Sequence, residues 1–146
     1  MPGAALAVTV ADCAPVVLEA DGAVGVVHAG WRGLAAGVVP AAVAALRELT
    51  DAPLRAMLGP CIRPGCYEFG PDDLDAVAAV LGDGVRGSTD AGRPALDVPA
   101  GVAAALAAAG VTTVDDSGVC TACSPDHWSY RSAADRSRQA AVVWLP

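Results

Sequence analysis

Short apolar runs divided by glycine and polar breaks set the pattern of the first third of the chain. Ala4–Val10 and Pro15–Glu19 have the length and character of strands, and Ala11-Asp12-Cys13 is the break between them. Asp21-Gly22 is a hairpin signal, and the strand Ala23–Val27 follows it. The run His28-Ala29-Gly30-Trp31-Arg32-Gly33 then leaves that strand and feeds a helix of about 16 residues, Leu34–Leu49, with a kink expected at Pro40.

Further along, Leu54–Leu58 reads as a buried strand and Gly59–Gly70 as a long loop. A helix starts at Pro71, with Asp72 and Asp73 in its first turn, where carboxylates favour the positive helix end. A polar, glycine-rich stretch runs from Gly82 to Pro94. After it come a helix near Pro99–Ala109, closed by Gly110, and a strand Val111–Val114. His127–Arg131 and Gln139–Leu145 are predicted as the last two strands, joined by a polar turn. This irregular alternation predicts an α/β (α+β) fold with a mixed β-sheet layered between helices.

Composition narrows the class. Hydrophobic residues make up 54% of the 146 and charged residues 17%, which excludes an intrinsically disordered chain and fits one domain, 1–146. Aromatics are only 4%, so the core must be built from small side chains, and 16 glycines help backbones approach. The net charge is −7 and all nine basic residues are Arg, which disfavours nucleic-acid polymers, although two or three Arg can still hold one small phosphate. The longest apolar stretch, Leu34–Leu46, is interrupted by Gly37 and Pro40 and is too short to cross a bilayer. The N-terminus has no cationic segment of a signal peptide, and five Cys is an odd number, so reduced thiols in a cytoplasmic protein are expected.

Candidate chemistry gathers at the two ends of the first hairpin. Cys13 and His28 are expected to lie about opposite each other across the turn at Asp21-Gly22. A thiol and an imidazole brought together admit a nucleophilic pair, or two metal ligands suited to Zn or Cu, or simple packing of a buried Cys beside a hydrogen-bonded His. Arg32 lies at a helix start, where a guanidinium and first-turn amides can meet an anion, or it is a surface Arg paired with an acid. Asp12 could orient His28 or a metal-bound water, or cap a turn. Cys61, Cys66, Cys120 and Cys123 offer a loosely spaced structural zinc set, and His127 a further ligand, a proton shuttle or a surface residue.

Ala11-Asp12-Cys13-Ala14-Pro15 followed by His28-Ala29-Gly30-Trp31-Arg32-Gly33 resembles the signature of the YfiH/LACC1 family. That family is also called the laccase-domain or multicopper polyphenol oxidoreductase family, and many of its members are described as purine nucleoside phosphorylases. Gly59-Pro60-Cys61-Ile62 with Tyr67-Glu68, Asp97 ahead of an Ala/Leu helix, Cys120-Thr121, Ser129-Tyr130-Arg131 and Arg138 continue the likeness to the end. The resemblance implies a fold like that of bacterial toxin deamidases with a Cys–His pair. It also implies a His–Cys–His metal centre, of which Cys13 and His28 match positions here. Family members are longer, and this sequence starts where their Pro-Gly leads into the Ala-Asp-Cys strand, without the segment that carries the first His. Ser132 and Ser137 stand where the family has Arg and Gly, and His127 where it tends to have an aromatic.

The implied activity is phosphorolysis of purine nucleosides such as inosine and adenosine, with adenosine deamination and methylthioadenosine phosphorolysis as related activities. Cys13, His28 and Asp12 are then the expected catalytic residues, Cys13 and His28 the metal ligands, and Zn the expected metal, with Cu the alternative. From residue type and loop context, Arg32 and Arg131 are expected to hold phosphate. The expected partners are small molecules, a purine nucleoside and phosphate, with no nucleic-acid polymer and no membrane. Competing readings are a Cys–His hydrolase acting on peptidoglycan precursors and a fragment without activity that binds a partner. Polyphenol oxidation ranks last, because two His cannot build several copper sites.

Overall fold

The computed structural model describes residues 3–146. Its centre is a hairpin, β2 (Ala14–Ala20) and β3 (Ala23–Ala29), turned at Asp21-Gly22 as the sequence predicts. β4 (Arg55–Leu58) pairs antiparallel with β2 on the hairpin's other side, and β7 (Thr113–Asp116) pairs parallel with β4. The order β3-β2-β4-β7 is therefore a mixed sheet. Strand alternation sorts its residues onto two faces. Val16, Leu18, Val27 and Ala56 are buried on one, whereas Pro15, Val17, His28 and Met57 occupy the other.

Helices cover the first face. They are α1 (Trp31–Ala35), α2 (Val38–Arg47), α3 (Pro71–Leu81) and α4 (Val98–Ala108). α4 is Ala-, Val- and Leu-rich all round and packs against each of the other three, so apolar residues on every side find a partner. Asp97 caps it by accepting a hydrogen bond from the Ala100 amide at 2.9 Å. The second face meets a separate antiparallel ribbon of β1 (Ala5–Val10) and β8 (Gln139–Trp144). Ribbon and sheet enclose a cavity of about 460 Å³ between Ala140, Ala141 and Val10 on one side and Pro15, Val17 and Met57 on the other.

Several predicted elements change. The single helix Leu34–Leu49 is two helices, broken at Gly37, whose φ of +84° puts it in the left-handed region. Pro40 sits in the first turn of α2, where a missing N–H costs nothing, so it makes no kink. The polar stretch Gly82–Pro94 is not featureless: a small hairpin of β5 (Arg86–Ser88) and β6 (Pro94–Leu96) brackets it. The predicted strand Val111–Val114 begins two residues later, because Val111 is spent plugging the core and pairing starts beyond it. His127–Arg131 is not a strand. It is a loop running into the one-turn helix α5 (Tyr130–Ala133), capped by Ser129, whose Oγ accepts from the Ser132 amide at 3.2 Å. Among the described residues no helix is long and apolar enough to cross a membrane.

Candidate active site

The break Ala11–Cys13, the end of β3, the start of α1 and the α5 segment meet around one cleft of about 810 Å³. Cys13, His28, Arg32 and Arg131 all line it, with Asp12, Trp31 and Tyr67. The register differs from expectation by two residues: His28 lies opposite Pro15, and Ala14 opposite Ala29. Cys13 and His28 are therefore diagonal rather than facing, and no hydrogen bond joins them among the described residues. Cys13 instead stands over Gly30, where a side-chain β-carbon would come within 2.9 Å of its sulfur. That contact accounts for one glycine of the His-Ala-Gly-Trp-Arg-Gly run. Burial, reinforced by the charge of Asp12, pushes the Cys13 thiol above its ordinary pKa, with Arg138 partly opposing. A thiol held up in this way is a poor stand-alone nucleophile.

Asp12 does something the sequence did not reveal. It is 8% exposed, and its backbone has φ +88°, uncommon for a residue with a side chain. One carboxylate oxygen accepts from Thr121 Oγ1 and from Ser129 Oγ, both at 2.7 Å, and the other accepts from the Arg131 amide at 2.7 Å. Its own carbonyl accepts from the Ile62 amide at 2.9 Å. The side chain thus fastens Thr121 and the Ser129–Arg131 segment, and the backbone carbonyl fastens the loop at Ile62, all to one residue. Asp12 holds the Arg131 backbone at the cleft, and among the described residues no hydrogen bond joins its carboxylate to His28.

The two arginines are alike in their surroundings. The Arg32 guanidinium lies over the Trp31 ring, 4.4 Å from its centroid, and that of Arg131 over the Tyr67 ring at 4.9 Å. Phe69 supports both rings edge-on, with centroids 5.3 Å apart in each case. Arg55, Arg63, Arg86 and Arg93 each bind a carboxylate, but neither Arg32 nor Arg131 does among the described residues. In a chain with 16 acids, Arg32 and Arg131 thus bring to one cleft two guanidinia that no carboxylate partners among the described residues. α1 is only five residues long, so its dipole adds little to their charge. Tyr67 is pushed up by burial, against the pull of Arg131.

Cys13 and His28 suit zinc by type, sulfur and imidazole, but a catalytic zinc takes three protein ligands and the described cleft supplies these two. Asp12 is committed elsewhere. His127 does not fill the gap: it lines the cavity beneath the β1–β8 ribbon, and its Nδ1 is bonded to Ser124 Oγ at 2.7 Å. The loose four-Cys set also changes. Cys66, Cys120 and Cys123 gather with their sulfurs within 4.8 Å of one another, but Cys61 is fully buried in the core and apart from them. Tyr67, Trp31 and the Thr121 and Ser129 hydroxyls received no role from the sequence. The Tyr-Glu, Cys-Thr and Ser-Tyr-Arg motifs marked their places without revealing their partners.

Comparison with known proteins agrees with this architecture. All residues 1–146 match the family described as multi-copper polyphenol oxidoreductase laccase. A purine nucleoside phosphorylase of Streptomyces coelicolor is 46% identical over 98% of this chain and 60% of its own length. One of Mycobacterium tuberculosis is 40% identical over 99% of this chain and 59% of its own. Among solved structures, YfiH of Bacillus licheniformis superposes with a TM-score of 0.89 at 27% identity, covering 100% of this chain and 59% of that one. YlmD of Geobacillus stearothermophilus gives 0.83 at 31%, covering 97% and 56%. The chain thus spans about 60% of the length of the relatives it matches.

Proposed function

The chain belongs to the multi-copper polyphenol oxidoreductase laccase family, and from that membership we propose that its cleft is built for phosphorolysis of purine nucleosides. The observation that carries this reading is the pair of carboxylate-free guanidinia, Arg32 and Arg131, beside Cys13 and His28 in one cleft. In this reading the two arginines bind inorganic phosphate and hold it against the anomeric carbon of the ribose. Attack by a phosphate oxygen forms the C–O bond as the C–N bond to the base breaks, and the departing purine takes up a proton. His28, exposed in the cleft, is a side chain of the right type to donate it. Trp31 and Tyr67 offer the flat apolar walls that a purine needs. Zinc, if a third ligand completes the Cys13–His28 set, would add a Lewis acid to the same cleft.

Two other readings lose support here. A Cys–His hydrolase needs its thiol activated, and the surroundings of Cys13 act in the opposite direction. Polyphenol oxidation needs more imidazole ligands than two His provide.

The test is the KM for phosphate in inosine phosphorolysis. Losing one charge-assisted contact of about 1.5–3 kcal/mol predicts a rise of roughly 10- to 100-fold in Arg32→Ala and in Arg131→Ala, with melting temperatures little changed. An unchanged KM in both variants would overturn the assignment.

A further inference from the structure

Outside the cleft, the described residues bring together one other set of soft ligands. Cys66 ends a 3₁₀ turn, Pro64–Cys66, in the loop between β4 and α3. Cys120 and Cys123 flank a tight turn in which the Cys123 and Ser124 amides bond to the Cys120 carbonyl at 3.3 and 3.0 Å. The two segments are joined by a bridge between the backbones at Cys61 and Cys120. From this geometry we propose that Cys66, Cys120 and Cys123 bind a structural zinc ion, which clips the loop bearing Tyr67 to the segment bearing Thr121.

Three arguments support the site. First, all three sulfurs lie within 4.8 Å of one another. Zinc–thiolate bonds of about 2.3 Å at tetrahedral angles place sulfurs about 3.8 Å apart. Cys66 and Cys123 are at 2.8 Å, closer than two thiolates on one zinc, so admitting the ion requires those two to part by about 1 Å. Second, the hydrogen bonds of the Cys123 and Ser124 amides to the Cys120 carbonyl hold Cys120 and Cys123 on the two sides of one tight turn, so the backbone itself brings their sulfurs together. Third, the bridge between Cys61 and Cys120 and the Arg63–Asp116 pair fasten the two segments to each other, so the three sulfurs meet in a preformed frame.

The balance is simple. Zn²⁺ binds three sulfurs as their protons leave to solvent, nothing is oxidised, and a water molecule completes the four ligands. The consequence reaches the cleft from both sides of the clip. Tyr67, next to Cys66, carries the Arg131 guanidinium on its ring, and Thr121, next to Cys120, donates to Asp12.

The experiment uses the full chain, reduced and stripped of metal, titrated with zinc and separately with cobalt. Wild type and Cys13→Ser are each expected to bind one equivalent at this site and to melt at a higher temperature with zinc. Their cobalt forms are expected to show thiolate charge-transfer and tetrahedral visible absorption. Cys123→Ser and Cys120→Ser are expected to lose the zinc-dependent melting shift and the charge-transfer band. Cys123 is exposed, so its variant is expected to fold, which circular dichroism checks independently. Failure of the folded, reduced wild type to bind zinc would overturn the proposal. So would zinc binding that Cys13→Ser abolishes while Cys123→Ser leaves it intact.

Discussion

At the scale of single residues, the cleft depends on contacts that one side chain makes several times over. Asp12 accepts from Thr121, Ser129 and Arg131 while buried, so replacing its charge changes three bonds together. Asn tolerates positive φ and keeps the shape, but its amide would point a donor at another donor. Asp12→Asn is expected to lower stability by about 2 kcal/mol in urea unfolding and to weaken phosphate binding through a loosened Arg131. Unchanged values for both would remove Asp12 from its positioning role. Gly30 offers a second test, because its backbone is ordinary (φ −84°) and only the Cys13 sulfur forbids a β-carbon. Gly30→Ala is expected to cost about 1–3 kcal/mol in wild type and little when Cys13 is also Ala, a coupling that a double-mutant cycle reads directly. The residues of the cleft were legible in the sequence, since Cys13, His28, Arg32 and Arg131 do share one cavity. Their mutual arrangement was not. A hairpin register cannot be counted to the residue from a turn signal alone, and the bonds of Asp12 span 109 to 119 positions of chain.

Among the elements, apolar period and caps located β2, β3, β4, α3 and α4 because each has a buried face and a recognisable terminus. The misses share a physical cause. The kink expected at Pro40 is absent because Gly37 rather than proline breaks the chain, and Pro40 falls in the first turn of α2. β7 carries Asp115 and Asp116 on an edge strand, where carboxylates reach solvent, so its sequence lacks the usual strand character. Those carboxylates nonetheless matter. Asp116 pairs with Arg63, tying the end of β7 to the loop after β4. The Arg63 hydrogen bonds hold the Asp116 carboxyl below its usual range. The unfolded chain therefore takes up this proton first as pH falls. The stabilisation is complete above the ordinary Asp pKa of about 3.9 and is lost as pH drops through the lower folded value. The pair is partly exposed, so its worth is within about 1 kcal/mol. Thermal melts of Asp116→Asn against wild type are expected to show a constant gap from about pH 5 to 7 that closes below about pH 4. A gap that widens toward acid would contradict this ion pair as its source.

The whole molecule carries a net charge of −7, and at its cleft Arg32 and Arg131 are two guanidinia without a carboxylate partner among the described residues. Helices on one sheet face and the β1–β8 ribbon on the other hold the four segments that meet there. The proposed reaction transfers the ribose of a purine nucleoside to phosphate in this cleft. Phosphorus NMR of the chain incubated with inosine and inorganic phosphate tests it most directly, with His28→Ala as control. A sugar 1-phosphate signal is expected to grow in step with free hypoxanthine and to be absent from the variant. Hypoxanthine released without a phosphate ester, or no release from a folded chain, would contradict it.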